Sequence, residues 1–142
     1  MENQFSPKLI EVVAGLIVRE GGVLVCQRSA TSKFPLKWEF PGGKIEAGES
    51  PTEALERELR EELAIDVLES KEFTRHVHHY KDMPAVSLRF YQVLRYQGQV
   101  KNLIFERIVW ARVQDLAKFD FLEGDLPLIK ILTAPNAGNV AL

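Results

Sequence analysis

Cysteine is almost absent from this chain of 142 residues: Cys26 is the single one. An intrachain disulfide is therefore impossible, so the fold depends on its core alone. Cys26 ends the apolar run Val23-Leu24-Val25-Cys26. That setting favours a buried small hydrophobe over a reactive nucleophile.

Long hydrophobic runs and a surplus of positive charge are also missing. No apolar stretch approaches the roughly 20 residues that cross a bilayer, and the first eight residues contain no signal-peptide core. The formal net charge is −2, and no basic stripe follows any segment. We therefore expect a cytoplasmic protein that binds neither a nucleic-acid polymer nor a membrane.

The length suits one domain over residues 1–142, and the chain has no repeats or linkers. Hydrophobic patterning predicts strands over 9–18, 23–27, 38–40, 65–68, 73–80, 86–94 and 104–113. Helices are predicted over 51–63 and 125–132, with a frayed tail at 133–142. Many strands interrupted by one helix predict an α/β (α+β) fold, in which helices pack on a mixed β-sheet.

The first predicted helix has strong local signals. Ser50 is a good N-cap, Pro51 occupies the first helical position, and Glu53 follows the cap by three residues. At 100° per residue, one apolar stripe should face the core. Its members are Leu55, Leu59 and Leu63.

Beside that stripe, the same helix carries an unusual group of acids. Glu58 and Glu62 are an i, i+4 pair of like charge, which destabilises a helix, and Glu61 lies next to them. A solvated face explains part of the pattern through the possible ion pairs Glu53–Arg57, Glu56–Arg60 and Arg57–Glu61. It leaves Glu58 and Glu62 without a base at i±4, whereas Mg²⁺ would explain gathered carboxylates. The helix alone leaves both interpretations open.

The segment before the helix adds to the metal interpretation. Pro41-Gly42-Gly43 predicts a sharp turn, because glycine permits such backbone geometry and a close approach of ligand. The exposed backbone carbonyl of such a turn would be a further metal ligand. The chain thus places a glycine elbow and Lys44 near the acidic helix.

These residues match a known pattern. Gly43, five residues, Glu49, seven residues, then Arg57-Glu58-Leu59-Arg60-Glu61-Glu62-Leu63-Ala64-Ile65 resembles the Nudix box of residues 43–65. Ala64 departs from the family, which has a helix-ending glycine there. The segments 26–28, 38–46 and 110–129 are similar to the MutT branch, so the resemblance covers residues 12–132.

The resemblance implies the Nudix fold, a mixed β-sheet sandwiched between helices. It also implies hydrolysis of a nucleoside triphosphate to the monophosphate and pyrophosphate, with Mg²⁺ as cofactor and Mn²⁺ as a substitute. For the metal it implies the carboxylates of Glu58, Glu62 and Glu61 and the carbonyl of Gly42. For catalysis and phosphate it implies Arg57 to hold the carboxylates, Glu49 to order the loop or assist a water, and Lys44 to meet phosphate.

Other roles implied by the resemblance concern the base and a proton acceptor. Base recognition is expected from Arg28, Phe40 and Asp125, although a core phenylalanine and a helix cap are the plainer alternatives for the last two. Asp125 stands where MutT has asparagine; ionised aspartate only accepts hydrogen bonds, whereas asparagine also donates. Glu106 is the candidate general base from a later loop, with an ordinary strand-start charge as the alternative.

The substrate is left open between 8-oxo-dGTP and CTP or dCTP. Alternatives are hydrolysis of ADP-ribose or a dinucleoside polyphosphate, and a catalytically silent domain that binds a nucleotide. A zinc site at His76 and His78, which would share one strand face, lacks a third ligand at a supporting distance. We expect a small-molecule nucleotide as partner and a monomer or homodimer.

Overall fold

The computed structural model describes residues 9–135, which contain seven strands and two α-helices. The strands are β1 (Ile10–Arg19), β2 (Gly22–Gln27), β3 (Trp38–Glu39), β4 (Gly42–Lys44), β5 (Asp66–His78), β6 (Val86–Gln97) and β7 (Arg107–Arg112). The helices are α1 (Pro51–Leu63) and α2 (Leu126–Thr133), and short 3-10 segments cover Val113–Lys118 and Glu123–Asp125. Neither α-helix in this part of the chain is long and apolar enough to span a bilayer.

The strands form one mixed sheet around β1. β1 runs parallel to β6 and antiparallel to β2 and β4. The main order is β3-β2-β1-β6-β5, with β4 beside β1 and β7 beside β2. A parallel pair requires a long crossover, and here the chain makes it through α1 and β5. The predicted mixed sheet is confirmed.

Two cores lie on opposite faces of the sheet, because successive side chains of a strand alternate. Ala14 and Leu16 of β1 point to the core that contains α2, while Val13 and Ile17 point to the core that contains α1. The three leucines of the apolar stripe are fully buried in the second core. The sheet therefore lies between helices, as the resemblance implied.

α1 has the bounds that its local signals predicted. The Ser50 hydroxyl accepts from the Glu53 N–H at 3.1 Å, and Glu53 Oε1 accepts from the Ser50 N–H at 2.8 Å. This reciprocal capping box satisfies two amides that the first turn would otherwise leave free. It fixes the start of the helix that carries the acids.

Three element predictions need correction. The predicted strands 65–68 and 73–80 are one strand, β5, whose exposed polar residues and register shifts at 67–74 disguise its continuity. The strand predicted over 104–113 begins only at Arg107, because Asn102 Oδ1 accepts from the Phe105 N–H at 2.7 Å and keeps that segment in a turn. Gly42 and Gly43, predicted as a turn, belong to a short strand paired with β1.

Two predictions reach beyond the described part of the chain. Thr133 is the last residue of α2, and residues 136–142 of the predicted tail lie outside the described residues. The single domain predicted over 1–142 includes those residues and 1–8. Both stay predictions for these segments.

α1 ends at the residue that departs from the family pattern. Ala64 adopts a left-handed conformation, φ 60° and ψ 33°, and its N–H donates to the Arg60 carbonyl at 3.1 Å. Alanine therefore takes the backbone that the family glycine would adopt. A Cβ in this region costs roughly 1–2 kcal/mol.

Ala64→Gly should therefore stabilise the protein. Glycine removes the steric cost of the left-handed conformation but adds conformational freedom to the unfolded chain, so we expect a net gain of about 0.5–1.5 kcal/mol in the free energy of unfolding. Urea denaturation measures it. Ala54→Gly, in the helix interior, is the matched control and should lose at least about 1 kcal/mol. An Ala64→Gly protein no more stable than the wild type would contradict the account.

Candidate active site

A cavity of about 500 Å³ opens between β1, β3, β4 and the segment that contains Leu122 and Asp125. Its volume is within the range of small-ligand sites. Glu62 of α1 lines one part of it, and Arg28, Glu39 and Asp125 line another. The cavity thus has three acidic lining residues, Glu39, Glu62 and Asp125, beside the basic residues Arg28, Lys33 and Lys44.

Glu58 and Glu62 are brought together at the glycine elbow. Glu62 is only 7% exposed, and its Oε1 accepts from the Gly42 N–H at 3.0 Å. The Glu58 carboxyl lies within hydrogen-bonding reach of the Glu62 carboxyl. It also packs on Gly43, since a Cβ on that residue would lie 2.5 Å from Glu58 Cδ. Only glycine at position 43 leaves room for this carboxylate.

The electrostatics of this pair call for a positive charge. Burial, together with the neighbouring charges of Glu58 and Glu39, raises the pKa of Glu62 to about 9. Two adjacent carboxyls in a poorly solvated site cannot both ionise unless a proton or a cation lies between them. Oxygen donors of this kind suit a hard divalent ion.

The protein supplies only part of a coordination sphere. Within residues 9–135, no group of three or more His, Cys, Asp or Glu side chains has the arrangement of a metal site. Mg²⁺ is commonly bound by one or two carboxylates, with water and substrate phosphates as its other ligands. The Glu58–Glu62 pair fits that pattern. The observed contact of Gly42 is through its N–H, not through the carbonyl that was expected to bind metal.

Arg57 links the acidic helix to the loop before it. Its guanidinium donates to both Glu49 oxygens, at 2.6 and 3.0 Å, to Glu58 Oε1 at 2.8 Å and to the Lys44 carbonyl at 3.1 Å. These hydrogen bonds lower the pKa of Glu49 and raise that of Arg57. Glu58 is thereby held against the glycine elbow by a charge-assisted bond from its sequence neighbour.

The ion pairs expected on a solvated helix face form only in part. Arg57 and Glu61 approach to 3.5 Å, but Glu53 caps the helix and Arg60 pairs with Asp66 at 2.8 Å. The Glu61 side chain is 59% exposed. It lies beside the buried pair of Glu58 and Glu62, not within it.

Lys44 and Glu106 occupy different positions relative to the cavity. Lys44 lines it. Glu106 is exposed at the start of β7 and is not among the lining residues, although Ile104 and Phe105 are. The contact seen at Glu106 is from its backbone N–H to the Gln27 carbonyl at 2.9 Å. The general-base role of Glu106 stays a prediction without a supporting contact.

The residues expected to recognise the base do meet at this cavity. Arg28 Nη1 pairs with Glu39 Oε1 at 3.0 Å, and Phe40 is 3% exposed. The Phe40 ring stacks on Phe121 with 5.3 Å between centroids. Phe40 borders the cavity and is a core residue, and its role in base recognition stays a prediction.

Glu39 was missed as a site residue. It lines the cavity, and burial raises its pKa although the Arg28 guanidinium opposes the rise. The signal was in the sequence: Glu39 separates Trp38 and Phe40, which are both buried in one core. A strand with that alternation turns its middle residue to the opposite face.

Asp125 is almost completely buried, at 5% exposed, and it lines the cavity. Its Oδ2 has no hydrogen-bond partner among the described residues, and burial raises its pKa well above the ordinary value. It does not cap α2 with its side chain. A neutral carboxylic acid both donates and accepts, as asparagine does, but it has one donor hydrogen where the amide has two. Sequence reasoning had contrasted asparagine with the ionised form.

Asp125→Asn should change how stability depends on pH. A raised folded-state pKa means that the proton bound to Asp125 favours the folded state below the ordinary value of about 3.9. That contribution is lost as pH rises through the interval up to the folded pKa. Asparagine does not titrate, so the variant should gain stability relative to the wild type as the pH rises above the ordinary aspartate pKa of about 3.9. Urea denaturation with a chelator measures the difference; a difference independent of pH would contradict the buried neutral acid.

The chain that has this geometry is similar to known proteins. The model of the NUDIX domain family matches residues 8–131. A CTP pyrophosphohydrolase of Escherichia coli is 34% identical, over 94% of this chain and 98% of its own length. An 8-oxo-dGTP diphosphatase of Haemophilus influenzae is 40% identical, over 65% of this chain and 68% of its own.

Solved structures give the same picture. A MutT structure from work on the Aliivibrio salmonicida and Vibrio cholerae proteins superposes with a TM-score of 0.76. Its sequence is 33% identical, and the match covers 89% of this chain and 98% of that one. The likeness therefore extends over most of the fold.

Proposed function

Because this chain belongs to the NUDIX family and is a Nudix hydrolase, we propose that it hydrolyses a nucleoside triphosphate to the monophosphate and pyrophosphate with Mg²⁺. The resemblance to the MutT branch is confirmed by relatives that cover most of the chain. Divalent metal dependence follows from the family, and Mg²⁺, with Mn²⁺ as a substitute, is our choice of ion. One observation supports the proposal most: the buried carboxyl of Glu62, which lines a cavity of about 500 Å³, lies within hydrogen-bonding reach of the half-buried carboxyl of Glu58.

Glu58 and Glu62 would hold the ion in this proposal. The Gly42 N–H orients Glu62, and Arg57 orients Glu58. When bound, Mg²⁺ supplies Lewis-acid chemistry: it neutralises phosphate charge, makes water more acidic and reverses the local negative field. The other ligands would come from phosphate oxygens, water and the Gly42 carbonyl.

The remaining acids differ in what their surroundings allow. Both oxygens of Glu49 accept hydrogen bonds from Arg57, and the Glu46 N–H also donates to Glu49 at 2.9 Å. A carboxylate so occupied, with a lowered pKa, is a poor proton acceptor. We assign Glu49 to ordering the loop. Glu61, exposed beside the pair, is our candidate for accepting the proton of the attacking water, ahead of Glu106.

Lys44 and the residues around Asp125 would bind the two ends of the substrate. Lys44 lines the cavity next to the glycine elbow and would meet phosphate. Asp125, as a neutral acid, would read a base edge that presents an adjacent donor and acceptor. Cytosine and 8-oxoguanine both present such an edge, which agrees with the substrates named for the two relatives. Arg28 would position the base through Glu39, and Phe40 would form the apolar wall.

Several parts of the assignment stay predictions. These are the cytoplasmic location, the state as a monomer or homodimer, and the absence of a nucleic-acid partner. An assay likewise decides which substrate is preferred, CTP or dCTP on the one hand or 8-oxo-dGTP on the other. A catalytically silent role is disfavoured, because both acids of the pair are present and buried together.

Glu58→Gln and Glu62→Gln should each abolish most of the pyrophosphate release. Each change removes a negative charge from the ion site, and the loss of several kcal/mol of transition-state stabilisation corresponds to at least a roughly 100-fold lower rate. The assay screens canonical and oxidised nucleoside triphosphates with Mg²⁺. Glu56→Gln, on the same helix but away from the pair, is the matched control and should keep the wild-type rate. Unchanged rates in both test variants would end the proposed mechanism.

A further inference from the structure

The backbone of Gly124, in the 3-10 turn Glu123–Asp125, is hydrogen-bonded by two side chains, one from the end of β5 and one from the loop after it. His76 Nε2 lies 2.6 Å from the Gly124 carbonyl oxygen. The Tyr80 hydroxyl accepts from the Gly124 N–H at 2.9 Å. A carbonyl only accepts, so His76 carries its proton on Nε2. Both backbone polar atoms of one residue are thus bound by side chains 48 and 44 positions away.

The two gripping side chains are themselves fixed by packing. The His76 ring stacks on Phe90 at 5.7 Å between centroids and 25° between planes, and Phe90 is fully buried. The Tyr80 ring contacts the His78 ring at 4.4 Å and the Phe34 ring at 5.0 Å. Neither hydrogen bond therefore depends on a freely rotating side chain.

Gly124 shows how tightly this contact is packed. A Cβ at that position would lie 2.7 Å from the Tyr80 hydroxyl and 2.8 Å from Leu88 Cδ1. The chain thus needs glycine here to bring its backbone against β5 and β6. On the other side of the turn, the Asp125 N–H donates to the Leu122 carbonyl at 3.0 Å, and the Leu122 N–H donates to the Trp38 carbonyl at 2.9 Å.

Leu122 connects the turn to Trp38 of β3 through backbone hydrogen bonds. His76 of β5 and Tyr80 of the following loop hold Gly124 from the other side. The residue that follows Gly124 is Asp125, which lines the cavity and whose buried Oδ2 has no hydrogen-bond partner among the described residues. None of these contacts involves Arg57, Glu58 or Glu62. The arrangement acts on the base end of the cavity, apart from the acids proposed for the phosphates.

We propose that His76 and Tyr80 are positioning residues that set base selectivity by holding Gly124, and through it the angle at which Asp125 meets the nucleobase. This inference rests on the proposed function for the identity of the ligand. It gives a role to His76, which the sequence analysis had considered only as a possible zinc ligand. If the Asp125 side chain met the correct base at a different angle, a buried polar group would be imperfectly paired. The difference in affinity between the correct base and other bases would then decrease.

The test measures base discrimination without catalysis. Equilibrium affinities for CMP, UMP, AMP, dGMP and 8-oxo-dGMP are determined in the presence of a chelator, and the ratio of best to worst is compared among variants. Tyr80→Phe keeps the ring and removes the hydroxyl, while His76→Phe keeps an aromatic ring and removes the donor. Each should narrow the ratio by roughly five- to tenfold. His76→Gln retains an N–H donor and should recover much of it.

Two controls separate the effect of the contacts of His76 and Tyr80 with Gly124, here called the clamp, from a general loss of structure. Tyr96→Phe and His79→Gln change the same residue types outside the clamp, and they should leave the ratio within about twofold of the wild type. The Gly124 amide proton should exchange with solvent roughly tenfold faster in Tyr80→Phe, measured by NMR. With a triphosphate substrate, KM should rise more than kcat falls.

The outcomes are distinguishable from those of the proposed function. Absence of pyrophosphate release from every nucleoside triphosphate would refute the proposed function, while the monophosphate ratios would still decide the clamp. An unchanged ratio in Tyr80→Phe, despite faster exchange at Gly124, would overturn the inference. So would unchanged exchange, equal losses in the controls, or a wild type that does not discriminate among the monophosphates.

Discussion

Two carboxyl groups, those of Glu58 and Glu62, lie within hydrogen-bonding reach of each other at the edge of a hydrophobic core. Two carboxylates this close repel each other, and several separate features of the fold hold them in place despite that repulsion. Gly43 has no side chain where the Glu58 carboxyl lies. Gly42 donates its N–H to Glu62, and Arg57 neutralises Glu58 from one side. A site that concentrates negative charge in this way is useful when a cation and a polyphosphate complete it.

The remainder of the fold places this pair with little freedom. α1 starts at a reciprocal cap and rests on β1 through a leucine stripe, so its acidic side faces the β4 glycines. β1 divides its side chains between two cores, and its neighbouring residues Val13 and Ala14 both line the cavity. The left-handed Ala64 shows that the helix ends where the family pattern ends it, even with an unsuitable residue.

Local signals predicted what depends on local structure. The bounds of α1 followed from Ser50, Pro51 and Glu53, and its buried face followed from leucine spacing. β5 was split in two because an edge strand with exposed polar residues has no hydrophobic alternation to reveal it. β7 was predicted too long because one asparagine side chain binds the backbone three residues away.

Of the site residues that the resemblance predicted, the structure brings Arg28, Phe40, Gly42, Lys44, Glu62 and Asp125 to one cavity. Glu49, Arg57, Glu58, Glu61 and Glu106 are not among its lining residues, and the resemblance did not predict the chemical state of any of them. The raised pKa of Asp125 arises from tertiary burial, which no local pattern reports. Glu39 was overlooked because its charge suggested the surface. The contacts of His76 and Tyr80 with Gly124 join segments more than 40 residues apart, and nothing in either segment alone indicates the other.

The central claim is that Glu58 and Glu62 share a divalent ion. Crystals soaked with Mn²⁺ and a non-hydrolysable triphosphate analogue test it through the anomalous scattering of manganese. We predict an anomalous peak about 2.1 Å from an oxygen of each carboxylate, with substrate oxygens completing the coordination. Glu58 and Glu62 turned toward solvent, with any manganese peak elsewhere, would contradict the account.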